Sequence, residues 1–397
     1  MAGKLAMGTK ELMRAKIMEW VKQGELTLIE ASEKLKISYR QGKRVYKRYK
    51  TEGDAGLVHR SQGQPSNNRK GGELRELAIK AYKENYRDFG PTFASEKLAE
   101  REGIVVDHET LRRWLLEEGL WKEKRRSNTY RRRRERRERF GELVQFDGSH
   151  HDWFEGRREK CCFMNMVDDA TGISLGFLSE QETTVSAMEL LWLWIRTYGI
   201  PQGVYCDRKN AFVLDKEPTI EDQLKGLDPK SPFELACDKL GIEVIVAHSP
   251  QAKGRVERNH AVYQDRFVKE LRLRNISTIE AANLYLSEEY LPGINKRFSC
   301  LPKENEDVHV PLLSTPDLRD IFSFEHRRVV SKDFVIQFER RLFQIKKDSL
   351  PRPRPGDRVT LRKWIDGSIH LYWNNKSLLV QEIQIPLKKE GHPLISA

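Results

Sequence analysis

Apolar residues recur at helical spacing through the first third of the chain, gather into short continuous runs through its middle, and alternate over brief stretches towards its end. The first third reads as two groups of three helices. Residues 10–22 set Leu12, Ile17, Trp20 and Val21 at helical spacing, and Gly24 stops the run. Thr27-Leu-Ile-Glu30 has the form of a capping box and opens a short helix that ends near Leu35. After a turn at Lys36-Ile37, Ser38 caps a third helix with Val45 and Tyr49 inward and Arg40, Lys43, Arg44, Lys47 and Arg48 outward. Any small three-helix bundle shares this pattern, but cations concentrated on the third helix favour a helix-turn-helix over residues 1–58, with that helix in a major groove. A polar linker at 59–72 leads to a second unit over 73–121. Its helices are expected at 73–84, 92–101 and 108–118, the last capped by Asp107, and the alternative for this unit is a plain spacer.

From residue 140 the period changes. Strands are expected at 142–147, 161–167, 173–178, 203–206 and 242–247, with helices at 185–198 and 233–240 and a long one from about Gly254. The 185–198 helix is apolar nearly all round, which predicts burial. Strands and helices so mixed imply an α/β core over 140–275. A helical and irregular linker at 276–325 holds a helix at 277–290 and a Pro-rich stretch after it. Six short alternating strands over 326–385 then predict a small β-barrel.

Charge adds a partner. The net charge is +12 over 397 residues, with a pI near 9.3, and such a balance favours a polyanion. The connector at 122–139 carries eleven Lys/Arg against three Glu. A charge run is often only a solvated face, but between two DNA-reading units and an α/β core it reads as a phosphate-tracking tether, with Arg131, Arg132, Arg133 and Arg134 as contacts. The five cysteines show no paired spacing, so no structural zinc site is expected and reduced thiols are. No apolar run reaches the roughly 18–20 residues of a membrane span, and the N-terminus lacks a signal core. A cytoplasmic protein of the bacterial cytosol and nucleoid, with no membrane partner, is therefore expected.

Three acidic residues stand in contexts suited to metal-dependent phosphoryl transfer: Asp147 in LVQFDGSHHDW, Asp207 in GVYCDRKNAF and Glu257 in SPQAKGRVERNH. The first two end apolar runs and the third begins a helix. Single acids at such places are usually turn or cap residues, and Asp168 and Asp169 in the DDATG turn are read that way. Brought together, three carboxylates can hold two Mg²⁺ ions, because a hard cation prefers oxygen ligands. The three blocks together resemble the DDE catalytic core of insertion-sequence transposases and retroviral-type integrases, the first block being closest to the ISNCY-type group. The 49 residues between Asp207 and Glu257 exceed the commonest spacing, which a polar loop at 215–231 accounts for.

The resemblance implies a ribonuclease-H-like core behind two helix-turn-helix units and an SH3-like C-terminal barrel. It implies Asp147, Asp207 and Glu257 as catalytic and metal-binding residues, with Mg²⁺ as cofactor and Mn²⁺ able to substitute. Implied partners are DNA, both the element's terminal repeats and a target, and further copies of the chain. Lys253 and Arg255 are expected at phosphates near the cleaved bond, Asn210 at the scissile strand, and one of His150 and His151 beside the site. The function expected is 3′-end nicking followed by strand transfer. A transposase-derived DNA-binding regulator without catalysis is the alternative, and a plain metal-dependent nuclease is a third.

Overall fold

The computed structural model describes residues 7–58, 71–122, 134–207, 212, 230–246, 254–312 and 317–383. The chain divides into two compact units, Met1–Arg125 and Arg126–Ala397.

The first unit is all helical among its described residues. Helices α1 (Thr9–Gln23), α2 (Leu28–Lys34) and α3 (Tyr39–Glu52) enclose Ile17, Met18, Ala31, Val45, Tyr49 and Leu57. The capping box forms as expected: Thr27 Oγ1 accepts from the Glu30 backbone N–H, and the Thr27 N–H donates to the Glu30 carboxylate at 2.8 Å. Ser38 Oγ likewise accepts from Gln41 N at 3.3 Å and starts α3. The Tyr49 hydroxyl donates to Glu19, tying α3 to α1. Thr27→Ala removes one cap bond and is expected to cost about 1 kcal/mol; faster hydrogen exchange confined to residues 28–34 is the readout. The second group is α4 (Gly72–Asn85), α5 (Pro91–Glu102) and α6 (His108–Glu117), packed around Tyr82, Tyr86, Phe89, Phe93, Leu98, Leu111 and Leu115. Asp107 caps α6 by accepting from Glu109 N and Thr110 N at 2.9 and 3.3 Å.

The second unit is built on a five-stranded sheet of β1 (Val144–His151), β2 (Cys161–Asp168), β3 (Ser174–Ser179), β4 (Gly203–Cys206) and β5 (Glu243–Val246), in the order β3-β2-β1-β4-β5. The first three strands pair antiparallel, and β4 and β5 add in parallel to β1. Three antiparallel strands followed by two parallel ones is the ribonuclease-H-like order expected from the motifs. One face carries α7 (Thr184–Tyr198) and α8 (Pro232–Leu240), which bury Phe146, Met164, Leu191, Trp194 and Phe233. The other carries α9 (Gly254–Leu273), with Phe163, Tyr263 and Phe267 in its core.

Three expectations need correction. β1 does not end at Asp147 but runs on to His151, because β2 continues to pair with it as far as Cys161. The Pro-rich stretch after residue 290 begins as a helix. Here α10 (Ile279–Tyr285) passes through a π-turn, Leu286–Tyr290, into α11 (Leu291–Phe298). Pro292 sits in the first turn of α11, where its missing N–H costs little. After α12 (Leu318–Ile321), the C-terminal strands do not close into a barrel among the described residues. They form two open antiparallel sheets. One is β6 (Ser323–Val329), β9 (Arg358–Trp364), β10 (Ile369–Trp373) and β11 (Lys376–Ser377); the other is β7 (Val335–Phe338), β8 (Arg341–Ile345) and β12 (Val380–Ile383). Both sheets feed one core of Val330, Ile336, Phe343, Ile345, Val359, Leu361 and Leu371. Alternation predicted the strands, but it carries no information on whether the last edge closes.

Candidate active site

Parallel pairing sets Val144 against Val204 and Gln145 against Tyr205. Continued two residues along each strand direction, this register points Asp147 towards the level of Asp207, the residue that follows the last of β4. β4 ends at Cys206, so Asp207 leaves the sheet where Asp147 loses its parallel neighbour. Both aspartates are half-buried.

The row containing Asp147 is covered by α9. Strand alternation puts Gln145, Asp147 and Ser149 on one face of β1. Gln145 Oε1 accepts from the backbone N–H of Val256 at 3.2 Å, using a donor that the first turn of a helix otherwise leaves orphaned. Ser149 Oγ accepts from Gln264 Nε2 at 3.0 Å. Asn165, the cross-strand partner of Asp147 on β2, donates to Asn259 Oδ1 at 2.7 Å. These three bonds hold the first half of α9, from Val256 to Gln264, along the row that contains Asp147. Glu257 follows Val256 in that first turn, with its side chain exposed. Asp147 therefore lies on β1 two residues past its last pairing with β4, Asp207 directly follows β4, and Glu257 lies in the first turn of α9, whose Val256 and Asn259 bond to the same face of the sheet.

A buried carboxylate holds this arrangement from behind. Asp169 is fully buried and accepts from Arg255 Nη1 at 2.9 Å, Gln145 Nε2 at 2.7 Å and the Arg137 backbone N–H at 2.8 Å, and it also pairs with Arg134. Gln145 therefore bridges Asp169 to α9. Its neighbour Asp168 accepts from Thr171 N and Oγ1, both at 2.7 Å, and from Gly141 N at 3.1 Å. Burial pushes the Asp168 carboxyl above its usual range, and these hydrogen bonds oppose the shift. Asp168 bonds within its own turn, as local turn chemistry suggested, whereas the partners of Asp169 come from distant segments.

The expected DNA contacts divide. Arg40, Lys43, Arg44 and Lys47 are exposed on α3. The Lys43 ammonium also lies 4.6 Å from the centre of the Tyr39 ring. Arg134 and Arg255 pair with Asp169, and Arg255 Nη2 also donates to the Arg134 carbonyl at 3.3 Å. Arg131, Arg132, Arg133, Lys253 and Asn210 lie outside the described residues. His151 stands edge-on to Trp153, ring centres 5.3 Å apart, whereas His150 is exposed on the other face of β1. Sequence reading missed Gln145, Asn165, Asn259 and Gln264. Only Gln145 carried a signal, since a residue two before Asp147 on a strand must share its face.

Among the described residues no helix is long and apolar enough to cross a membrane. A helix-turn-helix domain family matches residues 13–66. A transposase of Sinorhizobium fredii, y4bF, is 36% identical over 379 residues, covering 95% of this chain and 81% of that protein. The transposase for insertion sequence IS1202 of Streptococcus pneumoniae is 28% identical, covering 92% of this chain and 86% of that protein. Among solved structures, the HTLV-2 integrase catalytic core domain in complex with magnesium matches 37% of this chain and 85% of its own, at 18% identity and a TM-score of 0.28. The simian T-cell lymphotropic virus intasome matches 79% of this chain and 99% of its own, at 14% identity and a TM-score of 0.34. At such scores the fold of the core rests on its own strand order.

Proposed function

The chain belongs to the insertion-sequence transposases, and from that membership we propose that it binds the terminal repeats of its element, nicks their 3′ ends and joins them to target DNA. The observation that supports the catalytic part is the parallel β1–β4 register, Gln145 against Tyr205, which continued two residues would set Asp147 level with Asp207 near the helix turn that bears Glu257.

Carboxylate oxygens alone make up this donor set, which fits a hard divalent cation, Mg²⁺ or Mn²⁺ in its place. Asp147 and Asp207 would hold one ion jointly, and Glu257 would complete a second position. Bound there, such a pair supplies activation of the attacking oxygen and charge stabilisation of the leaving oxygen. The chain's own part is positioning. Gln145, Asn165 and Ser149 keep α9 in register with Asp147, and no side chain acts as a covalent nucleophile.

Recognition falls to α3, whose Arg40, Lys43, Arg44 and Lys47 form an exposed basic face. Arg44→Ala or Lys47→Ala is expected to weaken binding to end DNA and, for a lost phosphate contact, to lower the salt slope by about one. Binding measured across a salt series checks this; an unchanged slope and affinity in the double variant would remove α3 from the interface. The second three-helix group is read as a further DNA-reading module, and the C-terminal pair of open sheets as a module for DNA-backbone or protomer contact. Joining two ends needs at least two active sites, so a homo-oligomer assembled on DNA follows from the reading. The test of the whole is cleavage of DNA taken from the borders of the element in Mg²⁺, with 3′-hydroxyl ends as the product.

A further inference from the structure

We propose a second metal site, formed by His150, Cys162 and Glu182, on the face of β1 opposite Asp147, that takes a thiophilic divalent ion of the Zn²⁺ class. Nothing in the sequence announces it, because its ligands come from three separate segments. The β1–β2 register sets His150 directly across from Cys162, so both side chains leave the same face of the sheet. Glu182 lies three residues beyond Ser179, which pairs with Cys162 from the other side. Just before α7, the chain turns Glu182 back over Gly148. That glycine leaves room for the approach: a Cβ there would stand 2.7 Å from Glu182 Cδ and 2.9 Å from Cys162 Sγ, so these side chains would have to shift.

The result is one nitrogen, one sulfur and one oxygen with all ligand atoms within 4.8 Å of one another. His150 Nε2 and Glu182 Oε2 are 3.4 Å apart, close to the edge of roughly 3.3 Å that a tetrahedron with bonds of about 2.0–2.1 Å requires. The Cys162 sulfur now rests 3.8 Å from Met164 Sδ, a weak contact that metal ligation would outweigh. The Glu182 side chain is 7% exposed while that of His150 is 58% exposed, so the site is closed on the sheet side and open on the histidine side, where water completes the fourth position.

Ligand chemistry separates this site from the catalytic one. A set containing thiolate and imidazole selects a softer ion, whereas Asp147 and Asp207 offer only hard oxygens. Binding displaces the Cys162 thiol proton to solvent and leaves His150 neutral. The ion would staple β1, β2 and the segment leading into α7.

The test is a Co²⁺ titration of the full chain in excess Mg²⁺, which saturates the carboxylate site. A thiolate-to-cobalt charge-transfer band with the visible bands of tetrahedral Co²⁺ is expected at one equivalent, displaced by Zn²⁺. Cys162→Ser should abolish the band, and His150→Ala and Glu182→Gln should each weaken Co²⁺ binding at least about tenfold. His150 is exposed, so its variant reports on ligation even if Cys162→Ser misfolds. Cys300→Ser and Asp147→Asn should leave the band intact. No band at saturating Co²⁺, a band unmoved by His150→Ala, or one lost with Cys300→Ser would overturn the proposal.

Discussion

Asp147→Asn and Asp207→Asn are each expected to lower 3′-end nicking and strand joining by about three orders of magnitude or more, with binding to end DNA within about twofold of wild type. Asparagine keeps the volume and one carbonyl oxygen but removes the charge that a hard cation needs. The proposed site draws the two aspartates together through the parallel addition of β4 to β1, with Gln145 against Tyr205. Either substitution should therefore disable the same metal position and give the same phenotype. Both sit at the half-buried end of a strand pair rather than in the core, so thermal unfolding should move little. Single-turnover cleavage of labelled end DNA, beside a binding isotherm for each variant, makes the measurement. A variant that still joined strands would remove that aspartate from the site.

The largest expected effect on stability belongs to Asp169→Ala. Asp169 has no exposure and serves Arg255, Arg134, Gln145 and the Arg137 backbone at once. Its removal strands the Arg255 guanidinium, whose side chain is only 15% exposed, and frees the Gln145 amide that orients Val256. Breaking a buried pair in this way costs about 3–5 kcal/mol. The part owed to Arg134 is smaller, since that side chain is 39% exposed and water screens it. Urea unfolding gives the loss. Hydrogen exchange at residues 254–260 should rise as well, and nicking should fall with it because Glu257 rides on the same turn. Normal exchange at that turn in a destabilised variant would show that Asp169 supports the sheet without holding α9.

Much of this was legible in the chain because local rules and tertiary structure agree. Thr27 with Glu30, Ser38 and Asp107 start their helices by the capping chemistry their positions suggested. The apolar run before Asp207 is β4, residue for residue. What stayed hidden depends on which segments meet. The length of β1 is set by β2, its antiparallel partner, so Asp147 lies within the strand although the apolar run stops there. Arg255 and Arg134 were legible only as cations near the core; that both also pair with Asp169 of the β2–β3 turn was hidden, because a cation in sequence has no visible partner. The C-terminal strands were readable from alternation, but closure depends on a final edge pairing that no local pattern encodes.

One measurement bears most directly on the account. The purified full chain is incubated with labelled DNA from the borders of its own element, with Mg²⁺ and with EDTA. Nicked 3′-hydroxyl ends and joined products in Mg²⁺, absent in EDTA, are the predicted result. Tight and specific end binding without cleavage in either Mg²⁺ or Mn²⁺ would contradict it and favour a DNA-binding regulator.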